Sequence, residues 1–295
     1  MTNLKTKLDE TRVLIDEHLE SLLPLPIGKE QRVCEAMRYS ILGGGKALRP
    51  FLVLTIADML GVQKQNAIQV ACALEMVHTY SLIHDDLPAM DNDTMRRGKP
   101  TNHIQFDEAT AILAGDALLT KAFEVLSMPQ THPDANIRCK LIYQLSKAAG
   151  TSGMIGGQMM DLIGEKTSLT LDEIERMQAL KTGALLKYAC TIPTIMTETS
   201  GAVFKALETY ASAIGLMFQI TDDILDVEGD SLLVGKTLGK DQKAQKSTFV
   251  SMMGIELAKE NVKTLAQKAE TALSCFGSEA NLLHQTIHFI LTRNK

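Results

Sequence analysis

LIHDDLPAMD, residues 82–91, returns in altered form as QITDDILD, residues 219–226. Each copy is an apolar run spaced at three and four that ends in paired aspartates, the pattern of a helix carrying an acidic end out of a core. Asp85 and Asp222 lie 137 residues apart, which suits two helices of a bundle facing each other across a cavity. The same periodicity runs through Ala-, Leu- and Met-rich segments along almost all of the chain, while period-two alternation of β-branched and aromatic residues is absent. The sequence therefore predicts an all-α protein of about ten or more helices. Its breakers fall at PLPIGK (24–29), GGGK (43–46), Pro88, GKP (98–100), MPQTHPD (128–134), Gly164 and EGD (228–230). No linker rich in Ser, Gly or Pro separates two halves, so one domain over 1–295 is expected.

The 295 residues are 45% hydrophobic, enough for a large buried core, and the net charge of −5 leaves no basic field for a nucleic acid. Five scattered cysteines without CxxC or Cys/His spacing read as small apolar residues in a reducing, cytoplasmic setting. No uncharged run exceeds 13 residues, short of the roughly 20 that span a bilayer, so no integral membrane segment is expected.

The first acid cluster places Asp85, Asp86, Asp91 and Asp93 within nine positions, followed at once by Arg96 and Arg97. In a helix His78, Ser81 and Asp85 share one stripe, as do Gln219, Asp222 and Asp226 in the second copy. Pro88 lacks a backbone donor and restricts Leu87, so it ends the first helix and lets Asp91 swing back toward Asp85. A lone pair of aspartates at a helix end is usually just a solvated terminus. Two such clusters, each at the end of an apolar run, are better explained by a cation, because converging carboxylates repel strongly without one. Oxygen-only donors point to a hard metal, Mg²⁺ before Zn²⁺, and Mg²⁺ is commonly shared with substrate phosphates.

Complementary positive charge stands nearby. GGGKALRP (43–50) sets Lys46 and Arg49 three apart behind bare backbone, a moderate signal for a phosphate group. It is not a P-loop, since GxxxxGK[ST] fails there for want of Ser or Thr. GKTLGKDQKAQKST (235–248) supplies Lys236, Lys240 and Lys246 after the second cluster, as a loop able to close over an anion or as ordinary surface. Lys181 and Thr182 lie in an amphipathic stretch whose periodicity leaves their role open, and a lone histidine on an apolar face such as His78 is usually a satisfied core residue, raised here only by its stripe-mates.

With these residues assembled, the chain resembles the bacterial short-chain trans-polyprenyl diphosphate synthases, most nearly those that make farnesyl diphosphate. GGGKALRP, HTYSLIHDDLPAMDNDTMRRGKPTNH, AILAGDALLTKAFEVL, GMIGGQMMDL, KTGALL, FQITDDILDVEGD and GKTLGKDQKAQKST carry the resemblance over nearly the whole length. It implies an isoprenoid-synthase-type helical bundle around a central cavity, a homodimer, and three Mg²⁺ per active site. By matching position, Asp85, Asp91 and Asp222 resemble the metal ligands, with Asp86 and Asp226 supporting. Arg96, Lys181, Lys236 and Lys246 resemble the grip on an allylic diphosphate, dimethylallyl or geranyl. Lys46, Arg49, His78 and Arg97 resemble the isopentenyl diphosphate site, and Thr182 and Gln219 the groups beside the reacting carbons. Tyr80 resembles the floor that limits product length; on the helical wheel only Ser81, ~40° from Asp85, faces the cavity, with Tyr80 ~140° away. The two extra residues Pro88 and Ala89, relative to DDxxD, match enzymes that stop at fifteen carbons.

A geranylgeranyl diphosphate synthase is the nearest alternative. A metal-dependent phosphohydrolase is suggested by HDD (84–86), but the other histidines show no partner pattern. A non-catalytic partner subunit would not need both Asp motifs intact. The sequence leaves open whether Arg293 reaches the isopentenyl diphosphate site or sits on a frayed terminus.

Overall fold

The computed structural model describes residues 3–42, 44–199, 201–228 and 248–292. Its contacts divide the chain into two units, Met1–Tyr143 with Ile195–Thr197, and Gln144–Thr194 with Glu198–Lys295.

In the first unit the helices are α1 (Leu4–Leu22), α2 (Gln31–Ile41), α3 (Leu48–Met59), α4 (Lys64–Asp85), α5 (Asn102–Gln105) and α6 (Glu108–Ser127), with the first part of α7 (Ala135–Ala149). The all-α expectation is met, with one addition: β1 (Met95–Arg96) and β2 (Lys99–Pro100) form a minimal antiparallel hairpin. Its two-residue turn holds Arg97 at φ 53° and Gly98 at φ 77°, the left-handed pair that matches strand twist. PLPIGK, GGGK, Pro88 and MPQTHPD all fall between helices, as their turn chemistry requires.

Helix α4 is the centre of this unit. Val70, Ala71, Cys72, Ala73, Leu74, Met76 and Val77 are all fully buried, so the helix is enclosed on every side, as its lack of a polar face demands. It packs on α6 and α3, and α1 lies against both α3 and α4. Burial on this scale gives roughly 1.5–3 kcal/mol per large side chain, which fixes the position of whatever α4 carries at its end.

The second unit contains α8 (Met154–Gly164), α9 (Leu171–Gln178), α10 (Ala184–Met196), α11 (Gly201–Glu228), α12 (Phe249–Met253), α13 (Ile255–Leu273) and α14 (Asn281–Leu291). Thr170 caps α9 reciprocally with Glu173, a capping box. Between α9 and α10 the backbone widens into a π-turn, Ala179–Gly183, which the amphipathic pattern did not foretell. Helix α11 packs along α13 and against the π-turn and α14. Among the described residues no helix is long and apolar enough to cross a membrane.

Candidate active site

The end of α4 builds the first cluster. Beyond Asp85 the chain turns through Leu87 N–H to His84 O and Met90 N–H to Leu87 O, and Asp91 N–H then donates to Asp85 O at 2.9 Å. Pro88 thus does what its chemistry requires: it stops the helix and folds Asp91 back against Asp85. The neighbouring Asp86 has a different fate. It is 3% exposed and receives Arg96 on both oxygens, Nε to Oδ1 at 2.7 Å and to Oδ2 at 2.9 Å. Burial pushes the Asp86 carboxyl up, and the Arg96 bonds pull it back. Arg96 also lies 3.9 Å from Asp93, so the hairpin arginine is set in place by two carboxylates of the preceding turn.

Arg97, one residue on, leans the other way. A side chain on Gly44 would meet Arg97 Nη1 at 2.7 Å, and one on Gly45 would meet its guanidinium carbon at 2.6 Å. The glycines therefore form a bare cradle filled by a guanidinium, and Gly45 at φ 87° makes the turn that only glycine takes freely. Ala47, at φ 48°, precedes α3 without giving a side-chain cap, so the positive end of α3 opens beside exposed Lys46. Arg49 sits in the first turn, with Nη1 3.3 Å from His78 Nε2 on α4. Removal from water, then Arg49, Arg97 and Arg96, hold the His78 pKa well below the usual imidazole range. The ring is neutral and available as a hydrogen-bonding group.

His84 turns from the acids to Ile112 O at 3.0 Å, so the HDD triplet does not make a histidine–aspartate metal pair. Tyr80 is 5% exposed, its ring meeting His84 edge-on at 5.7 Å. Ser81 donates to His78 O on its own helix at 2.8 Å.

The second unit assembles its share around the π-turn. Lys181 Nζ donates to Asp161 Oδ2 of α8 at 2.7 Å. The backbones touch here: a Cβ on Gly157 would stand inside the van der Waals radius of Lys181 N. On the opposite side Gly215 of α11 faces Gly183, a Cβ there meeting Gly183 Cα at 3.6 Å. Small residues thus bring Lys181 and Thr182 against the helix bearing Gln219, Asp222 and Asp226. The doublet on α11 divides like the first: Asp223 Oδ2 accepts Phe249 N–H at 2.8 Å and anchors the start of α12. Asp222 and Asp226 lie one turn apart, both half-buried. Lys236, Lys240, Lys246 and Arg293 lie outside the described residues.

Among the described residues no three Asp, Glu, His or Cys side chains close around one point. The donor set suits Mg²⁺, which needs only one or two carboxylates per ion and completes its shell with water and phosphate oxygen. Asp85 and Asp91, joined by their backbone bond, have that form.

Sequence reasoning did not single out Arg12, Asp16, Glu75, Asp161 or Asp223. For Glu75 a signal existed: it is the one charged residue between Lys64 and Asp85.

The polyprenyl synthetase family model matches residues 30–280, running through both units. The chain is 46% identical over 292 residues to the farnesyl diphosphate synthase of Micrococcus luteus, covering 99% of this chain and 100% of that protein. It is 41% identical to a geranylgeranyl diphosphate synthase of Cyanophora paradoxa, with 99% and 97% covered. An FPP/GFPP synthase structure from Zymomonas mobilis superposes with a TM-score of 0.90 at 42% identity, covering 98% and 99% of the two chains. Two aspartate-tipped helices, each with cations fixed beside it, and full-length similarity of this degree lead to one statement: the chain belongs to the polyprenyl synthetase family.

Proposed function

We propose that this chain, as one polyprenyl synthase domain, condenses isopentenyl diphosphate with dimethylallyl and then geranyl diphosphate to give farnesyl diphosphate and diphosphate. The observation that carries the reading is the closed turn that ties Asp91 to Asp85 while the next carboxylate, Asp86, fixes the guanidinium of Arg96. Carboxylates with a neighbouring cation are the surroundings that a metal-bound diphosphate requires.

Asp85, Asp91 and Asp222 would hold Mg²⁺, three ions per site, which when bound neutralise the charge that builds on the departing diphosphate. Arg96 and Lys181, both held by buried carboxylates, grip the allylic diphosphate as its bond to carbon breaks, with Lys236 and Lys246 as further cations. Thr182 and Gln219 offer a hydroxyl and a carbonyl dipole to the developing allylic cation. Lys46, Arg49, neutral His78 and Arg97 hold isopentenyl diphosphate at the uncapped start of α3, where backbone N–H groups add to the side-chain cations. The double bond of isopentenyl diphosphate attacks the cation, and the proton lost from the adduct goes to the departed diphosphate. Apolar walls exclude the water that would quench the cation. Tyr80, aromatic and buried below Asp85, is the stop that limits the product, and Ser81 stands beside it. Exposed Ile104, Ile112 and Leu113 on α5 and α6 support a homodimer.

Incubation with Mg²⁺, isopentenyl diphosphate and dimethylallyl diphosphate, followed by dephosphorylation and chain-length analysis, tests the reading. A fifteen-carbon alcohol that disappears with EDTA is expected. A twenty-carbon alcohol would favour geranylgeranyl synthesis, and no condensation by folded protein would refute the proposal.

A further inference from the structure

Glu75 lies in the middle of α4, 5% exposed, between fully buried Leu74 and Met76. Its Oε2 has no hydrogen-bond partner among the described residues, and neither does the buried Nε of Arg49. An unpartnered carboxylate oxygen in a helix core costs about 1–3 kcal/mol or more, and an apolar residue of the same size would pack there at no such cost. Stability therefore gives no reason for the residue.

Its surroundings supply one. Burial raises the Glu75 carboxyl pKa, while Arg97, Arg49 and Arg12 draw it down and Asp16 pushes it up. These groups come from four different places: Arg12 and Asp16 from α1, Arg49 from α3, Glu75 and His78 from α4, and Arg97 from the hairpin turn. Arg12 donates through Nη1 to Gly45 O in the glycine cradle, and through Nε to Asp16 Oδ2 at 2.8 Å. Three guanidinium groups gathered at one loop repel one another, Arg12 and Arg49 half-buried and Arg97 exposed. The two carboxylates, one deep and one at the rim, are what permits them to stand together before an anion arrives.

We propose that Glu75 is a positioning residue for the isopentenyl diphosphate subsite: buried one turn before His78, the partner of Arg49, it offsets the charge of Arg49 and Arg97 without a hydrogen bond to either, while Arg12 and Asp16 brace the glycine loop from α1. The assignment rests on the proposed reading of that subsite. Glu75 does not touch the substrate; it lowers the cost of assembling the cations that do. When the diphosphate enters, the arginines exchange part of their attraction to Glu75 for phosphate oxygens.

The test is steady-state kinetics of the Glu75→Gln protein, varying each substrate at saturation of the other. Gln keeps the volume and removes the charge. The expected result is a KM for isopentenyl diphosphate raised about tenfold, with kcat and the allylic KM changed less than twofold, and with Glu75→Asp restoring most of the affinity. An unchanged KM overturns the proposal, and so does a lower one, which would mean that the carboxylate only repels the incoming anion. Should Glu75→Gln fail to fold, Asp16→Asn at the solvent-reached rim carries the test, with an isopentenyl KM raised about threefold expected and no change overturning it. A wild-type protein that makes no prenyl product would refute the subsite itself; wild-type turnover with indifferent variants would refute only the role of Glu75.

Discussion

Asp85 and Asp86 are chemically identical neighbours, and the end of α4 gives them opposite surroundings. Asp86 is turned inward onto Arg96 through two hydrogen bonds, while Asp85 is tied to Asp91 through the backbone. Replacing Asp86 by Ala leaves the half-buried Arg96 guanidinium with Asp93 as its remaining carboxylate and is expected to cost about 1–3 kcal/mol of stability, seen as a drop in melting temperature. Asp85→Ala should leave the melting temperature within a few degrees and abolish nearly all turnover through loss of Mg²⁺ affinity. A large metal-independent fall in melting temperature for Asp85→Ala would count against its role. The doublet was legible as a motif because it occurs twice, each time at the end of an apolar run. The division within it depends on which way each carboxylate turns, and Asp222 with Asp223 repeats the case, since only the fold shows Asp223 bonded to Phe249 N–H. Tyr80 belongs at this scale too. Its burial against His84 leads to the expectation that Tyr80→Ala yields products longer than fifteen carbons at a stability cost of about 3–5 kcal/mol. Unchanged product length, read by chromatography of the dephosphorylated products, would remove Tyr80 as the stop.

Between elements, spacing is set by glycine more than by charge. PLPIGK, GGGK, Pro88, MPQTHPD and Gly164 fall at or between helix ends, because proline and glycine act locally and need no partner to be read, whereas GKP sits in the hairpin and Gly229 and Asp230 of EGD lie outside the described residues. The π-turn was not legible: Ala179–Gly183 continues the apolar pattern of its neighbours, and its widened backbone follows from packing against α8 and α11. π-turns recur at functional sites because they redirect side chains, and this one carries Lys181 and Thr182. Gly157→Ala tests the contact that holds it. The new methyl would press on the backbone of Lys181 rather than on a side chain able to move aside, so a loss of about 1–3 kcal/mol is expected. The measurement is calorimetric melting together with the KM for the allylic substrate, which should rise as Lys181 shifts from Asp161. An unchanged allylic KM in a destabilised protein would make the contact purely structural.

For the molecule as a whole, the all-α class was legible because hydrophobic periodicity is summed over hundreds of residues, whereas which segments pack together depends on contacts between positions distant in sequence. The central helices of both units also bury polar tips that a sequence pattern counts as apolar. Tyr80 on α4, Tyr188 on α10 and Tyr210 on α11 are 5%, 4% and 0% exposed. Desolvation pushes the phenol of Tyr80 up to about 12, and those of Tyr188 and Tyr210 upward as well. Tyr210 also donates to Leu283 O at 3.2 Å, a bond that joins α11 to α14 and exists only while the phenol keeps its proton. A raised folded-state pKa means that the unfolded chain releases these protons first. Stability from this source is therefore complete below about pH 10, the ordinary tyrosine value, and declines as pH climbs through 10 toward 12 and beyond. In an alkaline titration followed by tyrosinate absorbance and helical circular dichroism together, the ionisation of these three residues should coincide with loss of helix. Tyr210→Phe keeps the core volume and removes one of the three protons, so it should make the alkaline decline shallower, although it forfeits the bond to Leu283. Ionisation of all three near pH 10 with the helices intact would show that water reaches the phenols, and that the cores of the two units are looser than their burial requires.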